Sequence, residues 1–147
     1  IDGRLLLDDQ TLYVVSYQGN VAALDAQSGR PLWQHAASSY TGPGAGFGSV
    51  YISEADGTVQ ALDAGSATEL WSTEALARRQ LTAPVAFSNF VAVGDYEGYL
   101  HLLAQTDGRM AGRVRVDGDG LRAAPLTVGD LLFVYGNSGD LAAYKLK

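Results

Sequence analysis

The chain has 147 residues, of which 47% are hydrophobic and 18% charged, and its formal net charge is −6; that balance excludes a disordered segment and suffices for a packed core. Its ten basic residues are scattered through an acidic chain, which excludes a nucleic-acid surface, because phosphate binding needs clustered Lys and Arg. Cysteine is absent, which removes disulfides, thiolate nucleophiles and Cys-ligated metal and leaves the redox compartment open, and no apolar run approaches the roughly 18 residues of a membrane-spanning helix.

From the N-terminus onward, apolar residues alternate in short runs broken by tight turns. The first unit is predicted to hold strands near Leu5–Leu7, Leu12–Ser16, Val21–Leu24 and Leu32–His35, with the central hairpin Tyr13-Val-Val-Ser-Tyr-Gln-Gly19 leading into Asn20–Leu24. A second hairpin turns at Val50-Tyr-Ile-Ser-Glu-Ala-Asp-Gly57. A third unit opens at Ala83–Phe87 and turns at Val91-Ala-Val-Gly-Asp-Tyr-Glu-Gly98. The fourth opens at Ala124–Val128, turns at Phe133-Val-Tyr-Gly-Asn-Ser-Gly139 and is expected to end after three strands near Leu146. The turn glycines Gly19, Gly57, Gly98 and Gly139 are spaced by 38, 41 and 41 residues. Each follows Gln, Asp, Glu or Ser, a dipeptide that places glycine where a hairpin turn requires positive φ.

The second half of the unit is more specific. Ala23-Leu-Asp25-Ala-Gln-Ser28-Gly29 leads to Trp33, and Ala61-Leu-Asp63-Ala-Gly-Ser66-Ala67 leads to Trp71, so that each Trp lies 14 residues after its turn glycine. Asp25 and Asp63, each with a hydroxyl three residues on, cap the backbone of a tight turn, and each indole covers the apolar seam between neighbouring sheets. The third unit keeps Thr106-Asp107-Gly108 but has Gly112 where Trp is expected, and the fourth reaches Lys147 before that position.

A period near 40 residues with four strands per unit reads as propeller blades. The fold class is therefore all-β: one unit over residues 1–147, a partial β-propeller of about four four-stranded antiparallel blades spanning 1–38, 39–79, 80–120 and 121–147, the last lacking its outer strand. An open array of this size leaves apolar blade faces in water. Two expectations follow: that Lys147 is a true C-terminus with an N-terminal portion removed, and that two such chains associate through their open blade edges.

The Ala-x-Asp-x-x-Ser/Thr-Gly-x-x-x-Trp pattern resembles the repeat of quinoprotein-type propellers. Leu81-Thr-Ala-Pro-Val85, Val93-Gly-Asp-Tyr-Glu-Gly-Tyr-Leu-His101 and Asp107-Gly-Arg109 resemble, more narrowly, the BamB family of lipoproteins in the β-barrel assembly machinery of Gram-negative outer membranes, and the resemblance runs through the whole chain. It implies an eight-bladed parent at the periplasmic face of the outer membrane, lipid-anchored through an N-terminus absent from this chain. It also implies a non-catalytic scaffold that binds a BamA-like barrel component through its POTRA domains, with unfolded outer-membrane proteins as further partners and no cofactor. Within the family an Asp-x-Asp segment before a blade forms part of the partner surface; Asp2 carries over as its second Asp. Leu5, Ala67 and Gly112 depart from the family pattern.

Two rival classes are a generic quinoprotein-repeat interaction protein and a fragment of a quinoprotein dehydrogenase. The second needs convergent cofactor and calcium ligands at the mouth of a complete ring, which half a ring without cysteine does not supply. His35 and His101 have no metal-ligand spacing and read as surface or strand-packing residues. Gly42–Gly48 reads as an irregular inter-blade connection, Asp117–Gly120 as a turn, and Arg78-Arg79 as a solvated loop pair. The aromatics Trp33, Trp71, Tyr17, Tyr96, Tyr99 and Tyr135 read as packing between blades.

Overall fold

The computed structural model describes residues 5–16 and 19–146. Alternating apolar residues with Gly-containing turns produce short antiparallel strands, and no helix occurs among the described residues. The first blade contains β1 (Leu6–Asp8), β2 (Thr11–Ser16), β3 (Asn20–Asp25) and β4 (Pro31–Ala36). The second contains β5 (Gly44–Gly46), β6 (Ser49–Ser53), β7 (Val59–Asp63) and β8 (Glu69–Thr73), and the third β9 (Val85–Phe87), β10 (Phe90–Gly94), β11 (Tyr99–Ala104) and β12 (Met110–Arg115). The fourth has three strands, β13 (Leu126–Val128), β14 (Leu131–Tyr135) and β15 (Leu141–Lys145). Every sheet is a meander in which sequence neighbours pair. This is the all-β partial propeller that the repeat predicts.

The strand period of two sends alternate side chains to opposite faces of each blade, and those faces meet in three seams. Tyr13, Val15, Val21 and Ala23 of the first blade pack on Val50, Ile52 and Leu62 of the second. Tyr51, Val59, Ala61 and Trp71 pack on Val91, Val93 and Leu103 of the third. Phe87, Ala92 and Leu100 pack on Leu121, Leu132 and Val134 of the fourth. Blades two and three are therefore covered on both faces, which is why their central strands are apolar almost throughout.

Two details differ from the sequence reading. Gly44–Gly46 is the inner strand of the second blade and not an irregular connection. Glycine serves there because the backbone of the next blade approaches so closely that a Cβ on Gly44 would meet the Pro84 carbonyl. The opening strands also begin at Val85 and Leu126, after Pro84 and Pro125, because proline has no N–H to give to the ladder.

Candidate functional site

The turns bearing the four repeat glycines lie at the same end of the blades as the inter-blade connections, and together they form a loop face. Gly19, Gly57, Gly98 and Gly139 have φ of 105°, 94°, 95° and 100°, which only glycine adopts without strain. At Gly98 a Cβ would also fall on the Asp117 carbonyl, so the turn and the connection that follows its blade are in direct backbone contact.

Each connection is held by two turns. On its own blade, Ala37 N–H donates to Gly19 O, Arg78 N–H to Asp56 O and Val116 N–H to Gly98 O. On the next blade, Ala55 N–H donates to Ser38 O, Tyr96 N–H to Arg79 O and Asn137 N–H to Gly120 O. These cross-blade bonds satisfy loop backbone that would otherwise need water, and they fix the loops in one geometry.

Two buried carboxylates stiffen the third blade. Asp95, fully buried, accepts from the backbone N–H groups of Glu97 and Tyr99, both at 3.0 Å. Its other oxygen lies 2.7 Å from Nε2 of His101, itself 1% exposed, and 3.2 Å from Nη1 of Arg79. Burial alone would raise the Asp95 pKa, but the hydrogen bonds from His101 and the Tyr99 N–H, the His101 charge and the Arg79 hydrogen bond outweigh it and hold the pKa below the ordinary carboxylate value. The carboxylate is thus the ionised acceptor, and His101 Nε2 carries the proton toward it. Asp117 joins the connection to the fourth blade: it accepts from Ser138 Oγ at 2.5 Å, Asp119 N–H at 2.8 Å and Ser138 N–H at 3.0 Å, and these bonds lower its pKa.

On this scaffold a cavity of about 480 Å³ opens, lined among others by Tyr40, Glu54, Gln80, Tyr96, Arg122 and Asn137. Burial and the neighbouring Asp56 carboxylate push the Glu54 pKa up, an acidic element in the cavity wall. Tyr40 and Tyr96 stay exposed on rigid backbone. Tyr and Arg are residue types enriched among the energetically dominant positions of protein interfaces. No group of three or more His, Cys, Asp or Glu suited to hold a metal occurs among the described residues.

Asp2 and Tyr17 lie outside the described residues. Asp25 and Asp63 stand at the opposite end from the loop face, where Asp25 accepts from Gln27 N–H and Asp63 from Gly65 N–H, each at 2.8 Å. Trp33 donates to Ala64 O at 2.8 Å and Trp71 to Gln105 O at 2.7 Å, each across a blade seam. Three of the other aromatics are not between blades. Tyr96 is on the loop face, Tyr135 is exposed on the fourth blade, and Tyr99 lies beneath the guanidinium groups of Arg113 and Arg115 at 5.1 and 5.5 Å. Arg79 is also no solvated loop residue, because it reaches a buried carboxylate with its own side chain only 30% exposed.

The Asp95–His101 pair was missed because no metal or catalytic spacing marks it. Its signal is positional: it sits three residues either side of Gly98, and the equivalent positions around Gly57 hold Glu54 and Gln60, joined at 2.5 Å.

A four-stranded repeat whose Trp bonds to the next blade defines a tryptophan-docked propeller of the quinoprotein-repeat class. The family model described as outer membrane protein assembly factor BamB matches residues 1–73 and 55–147, and the chain belongs to that family. It is 59% identical over 147 residues to the outer membrane protein assembly factor BamB of Pseudomonas aeruginosa, covering 100% of this chain and 39% of that protein. The chain thus spans well under half the length of this relative. The crystal structure of BamB from Moraxella catarrhalis aligns with a TM-score of 0.92 at 28% identity, covering 100% of this chain and 45% of that one. The computationally designed Ika4 protein aligns with a TM-score of 0.82 at 17% identity, covering 99% of this chain and 91% of that one, a likeness of fold alone.

Proposed function

We propose that the chain is part of a non-catalytic scaffold subunit of the β-barrel assembly machinery, which binds the POTRA region of a BamA-like barrel component and aids outer-membrane protein insertion at the periplasmic face. The observation that carries this reading is the family match over the whole chain, joined to a relative named as an assembly factor. The mechanism is recognition. The doubly bonded connections hold Tyr40, Tyr96 and Arg122 in fixed positions, so a partner meets anchors whose ordering cost was met on folding. Asp2 adds a carboxylate to the partner surface, and a lipid anchor holds the whole protein at the membrane. Unfolded outer-membrane proteins are further partners of the same face.

The test is a titration of the purified propeller with purified POTRA domains. Saturable binding that weakens by at least about tenfold in the Tyr40→Ala/Tyr96→Ala variant is expected, in line with buried aromatic anchors worth more than about 1 kcal/mol each. No binding, or binding indifferent to both tyrosines, sinks the reading. Dye reduction on adding pyrroloquinoline quinone and calcium would instead favour a dehydrogenase fragment.

A second reading, self-association, is favoured by the terminal blades. The outer face of the fourth blade carries Leu126 and Leu141, 61% and 66% exposed, together with Phe133. By strand register it corresponds to the Tyr13, Val15 and Val21 face that the first blade packs on the second. The free face of the first blade, with Leu7, Leu12 and Val14, corresponds to the receiving face of Val50 and Ile52. The two faces are the halves of a seam already made three times in this chain, so a second copy fits both. Sedimentation showing a concentration-dependent dimer that Leu141→Lys abolishes supports this; a monomer at high concentration removes it.

A further inference from the structure

Away from the loop face, the three seams are built alike except at one point. In the first two, a Trp fills the outer part of the seam and lies near a Tyr, with Tyr13–Trp33 and Tyr51–Trp71 ring centroids both 6.1 Å apart. In the third, the equivalent positions are Gly112 and Ala92. The backbone there is unchanged. Trp33 pairs with Ala23, Trp71 with Ala61 and Gly112 with Leu102, and each ladder shifts register immediately beyond that pair. A Cβ on Gly112 meets nothing within 4 Å.

Phe87 and Leu102 take some of the lost volume, and a cavity of about 280 Å³ remains, lined among others by Phe87, Leu100, Leu102, Leu132, Tyr144 and Leu146. Apolar cavities of about 150 Å³ take up benzene, so this one has room for an indole. The hydrogen-bond acceptor has an equivalent too. The indole N–H groups of Trp33 and Trp71 donate to Ala64 and Gln105, seven residues after Gly57 and Gly98, and seven residues after Gly139 is Leu146, whose residue lines the cavity. Arg113 and Lys145 border it through their strands, but their charges are engaged elsewhere, the guanidinium over the Tyr99 ring and the ammonium on Asp130 at 3.2 Å.

We propose that this slot between the third and fourth blades binds the tryptophan side chain of another polypeptide. The apolar walls take the ring and the Leu146 carbonyl accepts the indole N–H. Peptidyl tryptophan is the occupant because the same fold seats it twice in this chain with the same backbone geometry.

The test titrates the 147-residue chain, with labelled leucine methyls, with N-acetyl-Trp-amide and free indole. Saturable binding is expected for N-acetyl-Trp-amide, with intermolecular NOEs from the indole to the methyls of Leu100, Leu102 and Leu132. The Leu102→Ala/Gly112→Trp variant, which rebuilds the Ala–Trp pair of the other blades, should lose at least about tenfold in affinity, since its own indole occupies the slot. Absence of saturable binding, NOEs to other methyls, or undiminished binding to the folded double variant overturns the proposal. Binding of indole without N-acetyl-Trp-amide overturns the polypeptide source. If the double variant does not fold, the NOE pattern decides by itself.

Discussion

Trp71 lies directly over Gly108, so close that a Cβ on the glycine would enter the indole ring. The two residues belong to different blades, and the same indole donates to Gln105 O at 2.7 Å. One side chain therefore closes the second seam by area, by shape and by a hydrogen bond. Trp71→Ala is expected to cost about 3 to 5 kcal/mol, the range for a large buried aromatic. Trp33→Ala should cost less, because Trp33 is only partly buried against its seam. Urea unfolding of both variants checks the order; equal losses would mean that the two indoles are not graded by burial.

Ala67 holds φ of 64° at the position where Gly29 holds 72° and Gly108 78°. An L-residue pays steric strain there that glycine does not. Ala67→Gly is expected to stabilise the chain by about 1 kcal/mol after glycine's extra unfolded-state entropy is set against the relieved strain. A Tm unchanged or lowered would show that the turn relaxes by another route.

Gly98→Ala should be among the most damaging single changes. It combines φ of 95° with a Cβ that would overlap the Asp117 carbonyl, so the turn and the connection to the fourth blade must separate. Gly19→Ala, where nothing lies within 4 Å of the added carbon, carries only the φ strain and should cost less. Thermal denaturation of the pair tests whether close approach adds to conformational strain.

The depressed pKa of Asp95 makes a pH-dependent contribution of known sign. A carboxylate whose folded pKa lies below its unfolded value near 3.8 stabilises fully above that value, and the contribution is lost as pH falls through the folded pKa. Asp95→Asn should therefore destabilise the chain at pH 7, by about 3 kcal/mol for a buried partner left uncompensated. Below pH 4 the difference from wild type should shrink. A gap constant from pH 7 to pH 3, read from denaturant midpoints, would show that the carboxylate charge is not what Arg79 and His101 require.

Much of the architecture was legible before any coordinates. The spacing of Gly19, Gly57, Gly98 and Gly139 and the recurrence of Trp33 and Trp71 are local constraints, because a hairpin turn demands positive φ and a large indole demands a seam to cover, and both leave a periodic trace. The number of blades follows from that period, and the hairpin turns give the order of the strands, three of them in the last blade among the described residues. Asp25 and Asp63 were readable in the same way, since an Asx turn is closed by residues two and three positions away.

What the tertiary structure decided lies between blades or occurs once. Arg79 reads as a solvated loop residue until folding carries it to Asp95, 16 residues away, and His101 is unremarkable until the hairpin brings it onto the same carboxylate. Gly44 looks like loop glycine because the Pro84 carbonyl that crowds it belongs to the next blade. The slot at Gly112 was visible in sequence only as a missing Trp. Its volume depends on how far Phe87 and Leu102 collapse into the space, and packing of that kind is set by three-dimensional neighbours and not by any period along the chain.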